Sequence, residues 1–430
     1  MLKRIFKNKQ GNFGLTTAFL MAPLMAMAGI ALDFGNAYVL RNDLQNAADA
    51  AVVGAISEKS TGVTASYWQD NGAVGAAERD AVKLFTAQVQ PRSDLKLVST
   101  NASVTKTGNL LKSTLTYRAE VKTIFSQIIG KNTITFKGTA TAEYSTQTFR
   151  QFYVLLDNTP SMGVGATTAD INKMVANTSD KCAFACHIVD NGVENTGDYY
   201  NLAKKLGVTI RIDVVAQAVA SLMDTAIRTR STGDQYSMSV YTFGEKAEDV
   251  KPLEVASMTS DLANIKTKAN KIQLMTIPYQ GYNMDQQTSF DTALTQMKSI
   301  IGSQGTGASA LNPEKVVFFV SDGVGDSKKP VGCTKPLYSS TRCQEPIDLK
   351  YCDALKANGI KIAVLYTTYL PLPTNGWYNT WIAPFQNQIS TNMRACASEG
   401  LFFEVSPTQG IAEAMNALFL RIVTTPRLTG

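Results

Sequence analysis

The residues best suited to chemistry in this chain offer oxygen atoms. Asp157-Asn158-Thr159-Pro160-Ser161 sets a carboxylate and two hydroxyls at positions i, i+2 and i+4, directly after the apolar run 152–156. On a strand-to-loop turn, three such groups can converge on one hard cation; Mg²⁺ takes about six oxygens, some of them from water. Alone the pattern is weak, because Ser and Thr are common turn residues. Two further segments strengthen it. Thr288 stands just before a helical stretch that begins at Phe290, and Ser321-Asp322-Gly323 closes a second apolar run, 316–320. Asp157 and Asp322 would be the charged members of such a site. Thr159, Ser161 and Thr288 would supply neutral oxygens. The bland alternative is that these residues only cap turns.

Enzymatic readings of the same residues fare worse. Thr159-Pro160-Ser161-Met162-Gly163 approaches the G-x-S-x-G nucleophile elbow but has Thr where the first Gly belongs. The one histidine, His187, lies in a cysteine-bearing insertion and would have to swing in as the base. No G-x-x-x-x-G-K-[ST] loop is present, and a single histidine excludes H-E-x-x-H. Cys182-x3-Cys186-His187 could contribute to a zinc site, but in an exported loop a small disulfide ring or a disordered cap fits better.

The elements that must position these residues follow from hydrophobic pattern. Near-continuous apolar runs at 152–156, 316–320 and 362–366 alternate with helical stretches at 210–228, 290–301, 348–358 and 386–398. This is the grammar of an α/β fold, a doubly wound and mostly parallel sheet covered on both faces, and sites in such sheets form at the carboxyl ends of strands. Two insertions, about 163–207 and 325–346, fall at that rim. Before this part, 37–56 reads as a helix with an apolar stripe at Leu40, Leu44, Ala47, Ala48, Ala51 and Ala55. A second helix is expected over 67–88. Alternation at Leu115, Tyr117, Ala119 and Val121, and again at Ile134, Phe136, Ala140 and Ala142, predicts two strands. The expected organisation is therefore 1–33 as basic tip and anchor, 34–148 as a small α+β spacer, and 149–430 as the α/β domain.

The N-terminus sets the compartment. Residues 13–32 carry no charge, and as a helix they rise about 30 Å, the thickness of a bilayer core. Lys3, Arg4, Lys7 and Lys9 precede them and supply four of the net +6 charges, so the chain has no basic face for nucleic acid. Positive residues stay cytoplasmic, which sends everything after Asp33 outward. Ala26-Met27-Ala28 offers an alternative, a cleaved signal peptide, but the apolar run continues through Leu32. In an oxidising compartment six cysteines favour disulfides. Cys352 and Cys396 lie on helices that follow successive strands of one sheet and are expected to bridge. Cys333 with Cys343 and Cys182 with Cys186 are the other expected pairs.

Asp157-x-Thr159-x-Ser161, Thr288 and Ser321-Asp322-Gly323 together resemble the metal-ion-dependent adhesion site of von Willebrand factor A domains. The resemblance implies Mg²⁺ or Mn²⁺ held by these five residues, directly or through water, with one position open for a partner's carboxylate. Thr159 stands where Ser is commoner, and the insertion after Gly163 departs from the family pattern. Lys9-Gln10-Gly11-Asn12, Asp33-x-Gly35 and Leu44-Gln45-Asn46-Ala47-Ala48-Asp49-Ala50-Ala51 are similar to TadG-like proteins of bacterial Tad (Flp) pilus assembly. So are Tyr351-Cys352-Asp353-Ala354-Leu355-Lys356, Gly359-Ile360-Lys361-Ile362 and Arg394-Ala395-Cys396-Ala397-Ser398. Pilin-like relatives are cut after a Gly and carry Glu five residues later; here Gly11 is followed by Thr16 at that spacing, and no such cleavage is expected. The resemblance implies a single-pass inner-membrane protein, mostly periplasmic and non-enzymatic. Its partners would be pilins, pilus-assembly proteins or a surface ligand with an exposed carboxylate. A secreted or cell-surface adhesin is the alternative.

Overall fold

The apolar run and the helical stripe after it form one helix. In the computed structural model, which describes residues 12–89, 91–249, 252–406 and 410–424, α1 spans Asn12–Ala55 with Pro23 inside it. The basic cluster Lys3, Arg4, Lys7 and Lys9, and Gly11, lie outside the described residues. The chain divides into two units, residues 1–148 with 308–311, and residues 149–307 with 312–430.

In the first unit the C-terminal half of α1 buries its predicted stripe. Leu44, Ala47, Ala48, Ala51 and Ala55 pack with Ala81 and Phe85 of a later helix and with Leu115, Tyr117 and Ala119 of a strand. The small residues let backbones approach, and Phe85 fills the space opposite, stacked on Tyr117. The expected helix over 67–88 is in fact three elements: α2 (Thr61–Ser66), β1 (Asn71–Ala73) and α3 (Gly75–Gln88). Gly72, with φ +115°, takes a left-handed conformation that interrupts the helix. A four-stranded antiparallel sheet follows, β1 with β2 (Leu95–Thr107), β3 (Leu110–Lys122) and β4 (Thr133–Ser145), in that order. Both predicted strands are there. β2 was not expected, because its Lys- and Ser-rich sequence hides a half-buried face.

The second unit is built on a six-stranded sheet. β5 (Arg150–Leu156) enters it first. The first insertion then folds into α4 (Thr168–Asn177), the short strands β6 (His187–Asp190) and β7 (Val193–Glu194), and α5 (Tyr199–Leu206). The chain continues as α6 (Arg211–Thr229), β8 (Tyr236–Thr242), β9 (Leu253–Thr259), α7 (Leu262–Ala269), β10 (Thr276–Ile277) and α8 (Phe290–Ile301). β11 (Glu314–Ser321) precedes the second insertion, whose strands β12 (Val324–Lys328), β13 (Leu337–Tyr338) and β14 (Arg342–Pro346) form their own small sheet. α9 (Leu349–Lys356), β15 (Lys361–Thr367), α10 (Gln386–Cys396), β16 (Phe402–Val405) and α11 (Ile411–Thr424) complete the unit.

The sheet order is β16-β15-β11-β5-β8-β9, parallel throughout except for β9 at the edge. Alternate residues of β5 face opposite cores, as a pleated strand demands. Phe152, Val154 and Leu156 pack with α6, α7 and α11. Tyr153 and Leu155 pack with α8, α9 and α10. Burial on both faces explains why these strands read as unbroken apolar runs. Cys352 of α9 and Cys396 of α10 are bridged, and Cys333 is bridged to Cys343 within the second insertion. Cys182 and Cys186 are not bridged, contrary to the expectation. The Cys182 sulfur instead folds back onto its own chain, accepting the Phe184 N–H at 3.4 Å, and Cys186 is buried.

Candidate metal centre

β5 and β11 are register neighbours, with Leu156 opposite Val320. Each therefore delivers the next acidic residue, Asp157 and Asp322, to the same end of the sheet. Both are fully buried. Asn158 ties the turn after β5 to the loops around it: its side chain donates to Gly244 O and accepts from Phe243 N–H, and its carbonyl accepts from Met275 N–H. Pro160 then starts a short 3₁₀ turn that presents Ser161.

The hydroxyls close on the first carboxylate in a chain. Thr288 donates to Thr159 at 2.7 Å, and Thr159 donates to Asp157 Oδ1 at 2.7 Å through its hydroxyl and at 3.0 Å through its N–H. Ser321 donates to Asp157 Oδ2 at 2.7 Å. Ser161 lies 3.5 Å from Thr159 and hydrogen-bonds to Asp322. All five residues singled out from the sequence thus come together, although they span some 165 positions. Thr288 is held there by a two-way backbone pairing with Asp326 of β12, at 2.7 and 2.9 Å, so the second insertion helps to place it.

One member of the cluster was not foreseen. Arg211, the first residue of α6, is itself buried and donates from Nη1 to Asp322 Oδ2 at 3.1 Å. Its Nε finds no partner among the described residues, and its guanidinium lies over the Tyr369 ring at 5.4 Å. The sequence did carry a signal. A cation in the first turn of a helix opposes the helix dipole and needs a reason; Asp322 supplies it.

Burial, then the charge of Asp322, pushes the Asp157 carboxyl up to about 7, against the hydrogen bonds from Thr159 and Ser321. Asp322 is raised by burial as well, with Arg211 and Ser161 opposing. Since Arg211 favours ionised Asp322, Asp157 is the member that takes up a proton first. The donor set, two carboxylates and three hydroxyls with no sulfur or imidazole, suits a hard cation such as Mg²⁺ or Mn²⁺. Arg211 leaves the pair with one net negative charge rather than two. The residues fit a divalent ion, with an internal competitor built in.

Above the cluster is a cavity of about 220 Å³ whose lining includes Ser161 and Thr288. The first insertion contributes Cys182, Phe184 and Cys186 to its wall, and the second contributes Asp326, Arg342 and Gln344. Asp326 is pushed up to about 6 by burial, against the Arg342 guanidinium that pairs with it at 2.6 Å. His187 is engaged elsewhere: Nδ1 is 3.4 Å from Leu274 O and the ring stacks on Tyr200 at 4.0 Å.

With that geometry in hand, the N-terminal likeness has a finding behind it: the family model described as putative Flp pilus-assembly TadE/G-like matches residues 11–58, the region of α1. No curated protein matches the chain. Among solved structures it is similar to the vWF domain of the type V pili tip protein Mfa5 from Porphyromonas gingivalis, at 10% identity and TM-score 0.36, covering 66% of this chain and 99% of that one. It is also similar to the pilus adhesin SpaC from Lactobacillus rhamnosus GG, at 12% identity and TM-score 0.38, covering 77% and 34% respectively. The PilB minor pilin from Streptococcus sanguinis follows at 11% and 0.34, covering 76% and 77%.

Proposed function

We propose that the protein is a membrane-anchored, non-enzymatic component of a Tad-type pilus apparatus. In this reading α1 holds it in a bacterial inner membrane, with both units in the periplasm. The second unit is a doubly wound von Willebrand factor A-type domain that captures an acidic side chain on a pilin, an assembly partner or a surface ligand. Asp157, Thr159, Ser161, Thr288 and Asp322 would hold Mg²⁺ or Mn²⁺, and the ion would offer a coordination position to the incoming carboxylate. Thr159 relays the Thr288 hydroxyl to Asp157 and fixes the orientation of both. Ser161, the half-buried member, faces the cavity through which a ligand enters.

The observation that carries this reading is the convergence of two fully buried carboxylates and three hydroxyls at the ends of neighbouring strands, beneath a cavity. Burying two carboxylates together is costly without a compensating cation, and Arg211 meets only one of them. The family match over 11–58 supports the pilus context. The test is calorimetric titration of the full-length protein with Mg²⁺ and Mn²⁺, alongside a pilus-assembly or adhesion assay. Binding should vanish in the Asp157→Ala, Asp322→Ala double variant, with loss of biological activity. Full activity in that variant would leave the second unit as a scaffold.

A further inference from the structure

The β3–β4 loop ends the first unit's sheet in a cluster of exposed apolar side chains. Ile124, Phe125, Ile128 and Ile129 are 74, 40, 75 and 59% exposed. Four large apolar residues within six positions is an unusual surface for a soluble domain, where such residues occur singly. The loop is nonetheless well built. Its Ser126–Ile129 segment is a 3₁₀ turn closed by Gly130, Lys131 N–H donates to Ser126 O at 3.0 Å, and Thr123 N–H donates to Asn132 O at 3.1 Å.

Its position on α1 is fixed at two levels. Asp33 accepts three backbone N–H groups, from Ile124 at 3.0 Å, Phe125 at 2.9 Å and Ser126 at 2.6 Å. One turn back toward the N-terminus, the Phe125 ring lies directly on Gly29, where a Cβ would sit 2.6 Å from Phe125 Cγ. Only glycine permits that contact. Gly29 belongs to the uncharged run 13–32, and Asp33 is its end, so the loop sits level with the last turn of the apolar segment. Lys122 and Lys131 flank it and are exposed.

We propose that this loop is a second membrane contact, in which Ile124, Phe125, Ile128 and Ile129 enter the leaflet that α1 leaves at Asp33. Lys122 and Lys131 then reach the phosphates of the same leaflet, as long basic side chains do at a bilayer surface. The occupant is lipid rather than another protein, because the patch packs on Gly29 within the uncharged run 13–32 and lies level with the end of that run. Asp33 acts as the positioning residue: it ties the sheet to the helix at one height and turns a swivelling anchor into a two-point mount. The inference rests on residues 13–32 crossing a bilayer.

The experiment uses the full-length protein, one copy per nanodisc, with phospholipids brominated along the acyl chain. Single tryptophans are introduced by Ile128→Trp in the loop, Phe19→Trp in the anchor and Leu110→Trp at the far end of β3. Each is read as the change from the natural chain, which has three tryptophans. Quenching of at least twofold is expected at positions 128 and 19 and none at 110. Adding Asp33→Ala should lower quenching at 128 by about half or more and leave that at 19 unchanged. Quenching at 19 without quenching at 128 overturns the loop proposal and leaves the anchor standing. No quenching at either overturns both. Unchanged quenching at 128 in the Asp33→Ala background overturns the positioning role.

Discussion

Replacing Arg211 with Met tests the centre from the side that the sequence did not show. The substitution keeps much of the bulk and apolar stem but removes the charge that meets Asp322 at 3.1 Å. Breaking a fully buried ion pair by deleting one partner costs about 3–5 kcal/mol, because the remaining charge is left uncompensated. For a unit of nearly 300 residues each kcal/mol is worth about 2 °C, so in chelator the variant should melt roughly 6–10 °C below the natural protein. Divalent cation then does two things. It supplies the missing positive charge, and it binds a site with two net negative charges instead of one. A unit charge a few ångströms away in a partly buried site is worth on the order of a few kcal/mol, so Mg²⁺ affinity should tighten by at least about tenfold. At a hundredfold excess over the dissociation constant the ion returns about 2.7 kcal/mol. The assay is thermal melting of the full-length protein with and without Mg²⁺, read from Trp377 and Trp381 in a Trp68→Phe background, with calorimetric titration for affinity. An Arg211→Met variant whose deficit is the same with and without Mg²⁺, and which binds no tighter, would refute the idea that the guanidinium and the ion share one site.

Other outcomes follow from the same geometry. Asp157→Ala should abolish most Mg²⁺ binding, while Ser161→Ala, which removes a neutral ligand that water can replace, should cost less; calorimetry distinguishes them. Since Asp157 sits at about 7, a proton competes with the metal below that value, and Mg²⁺ affinity should fall roughly tenfold per pH unit between 7 and 5 and level off above 8. In chelator the sign for stability is opposite. The raised value means that the folded state binds the extra proton, so the contribution of Asp157 is fully present below about pH 4 and lost as pH rises through 7. The Cys352–Cys396 bridge closes a separation of 44 residues, and Cys352→Ala, Cys396→Ala should cost about 3–4 kcal/mol in the chain-entropy account, visible as a lower melting temperature. A reporter active only outside the cytoplasm, fused after Ser145, should work; activity of a cytoplasm-only reporter there would reverse the topology.

What the sequence disclosed depended on how strongly a residue's role was written into local pattern. Buried parallel strands must be apolar on both faces, so β5, β11 and β15 were visible as runs, and the residues at their ends drew attention to Asp157 and Asp322. The alanine stripe of α1 was equally plain, since only helical spacing brings Leu44, Ala48 and Ala51 to one side. β2 escaped because its inward positions are weakly apolar. The insertion at 163–207 concealed two helices and a hairpin, whose order comes from packing on the unit. Arg211 could not be placed by hydrophobic pattern. It is a long-range partner, 111 residues from Asp322, and its first-turn position on α6 was the only hint. Cys182 and Cys186 show the converse: spacing and compartment favoured a bridge, while the local turn holds the Cys182 sulfur on Phe184 N–H.

On the proposed function, the insertions bear on what kind of partner such a centre takes, since both contribute to the cavity wall. Here Asp157, Thr159 and Asp322 are fully buried and Thr288 nearly so; Ser161 and Thr288 are the site residues that line the cavity of about 220 Å³. Its wall carries Asp326, which pairs with Arg342 at 2.6 Å, and Trp377, whose ring lies 4.3 Å from the same guanidinium. On the proposed function, an acidic side chain entering this space would meet the paired Arg342 on the same wall as Ser161 and Thr288. Removing that Arg should therefore slow capture more than it weakens the ion. Arg342→Gln should leave Mg²⁺ affinity within about threefold of the natural protein, since among the described residues Arg342 pairs with Asp326 and Asp285 rather than with any of the five site residues, yet lower partner association at low salt, where long-range charge matters most. Surface plasmon resonance against the purified pilin fraction, at two ionic strengths and with Mg²⁺ saturating, separates the two effects. Equal association rates for Arg342→Gln and the natural protein at both salt levels would mean that the acidic ligand does not approach through this cavity.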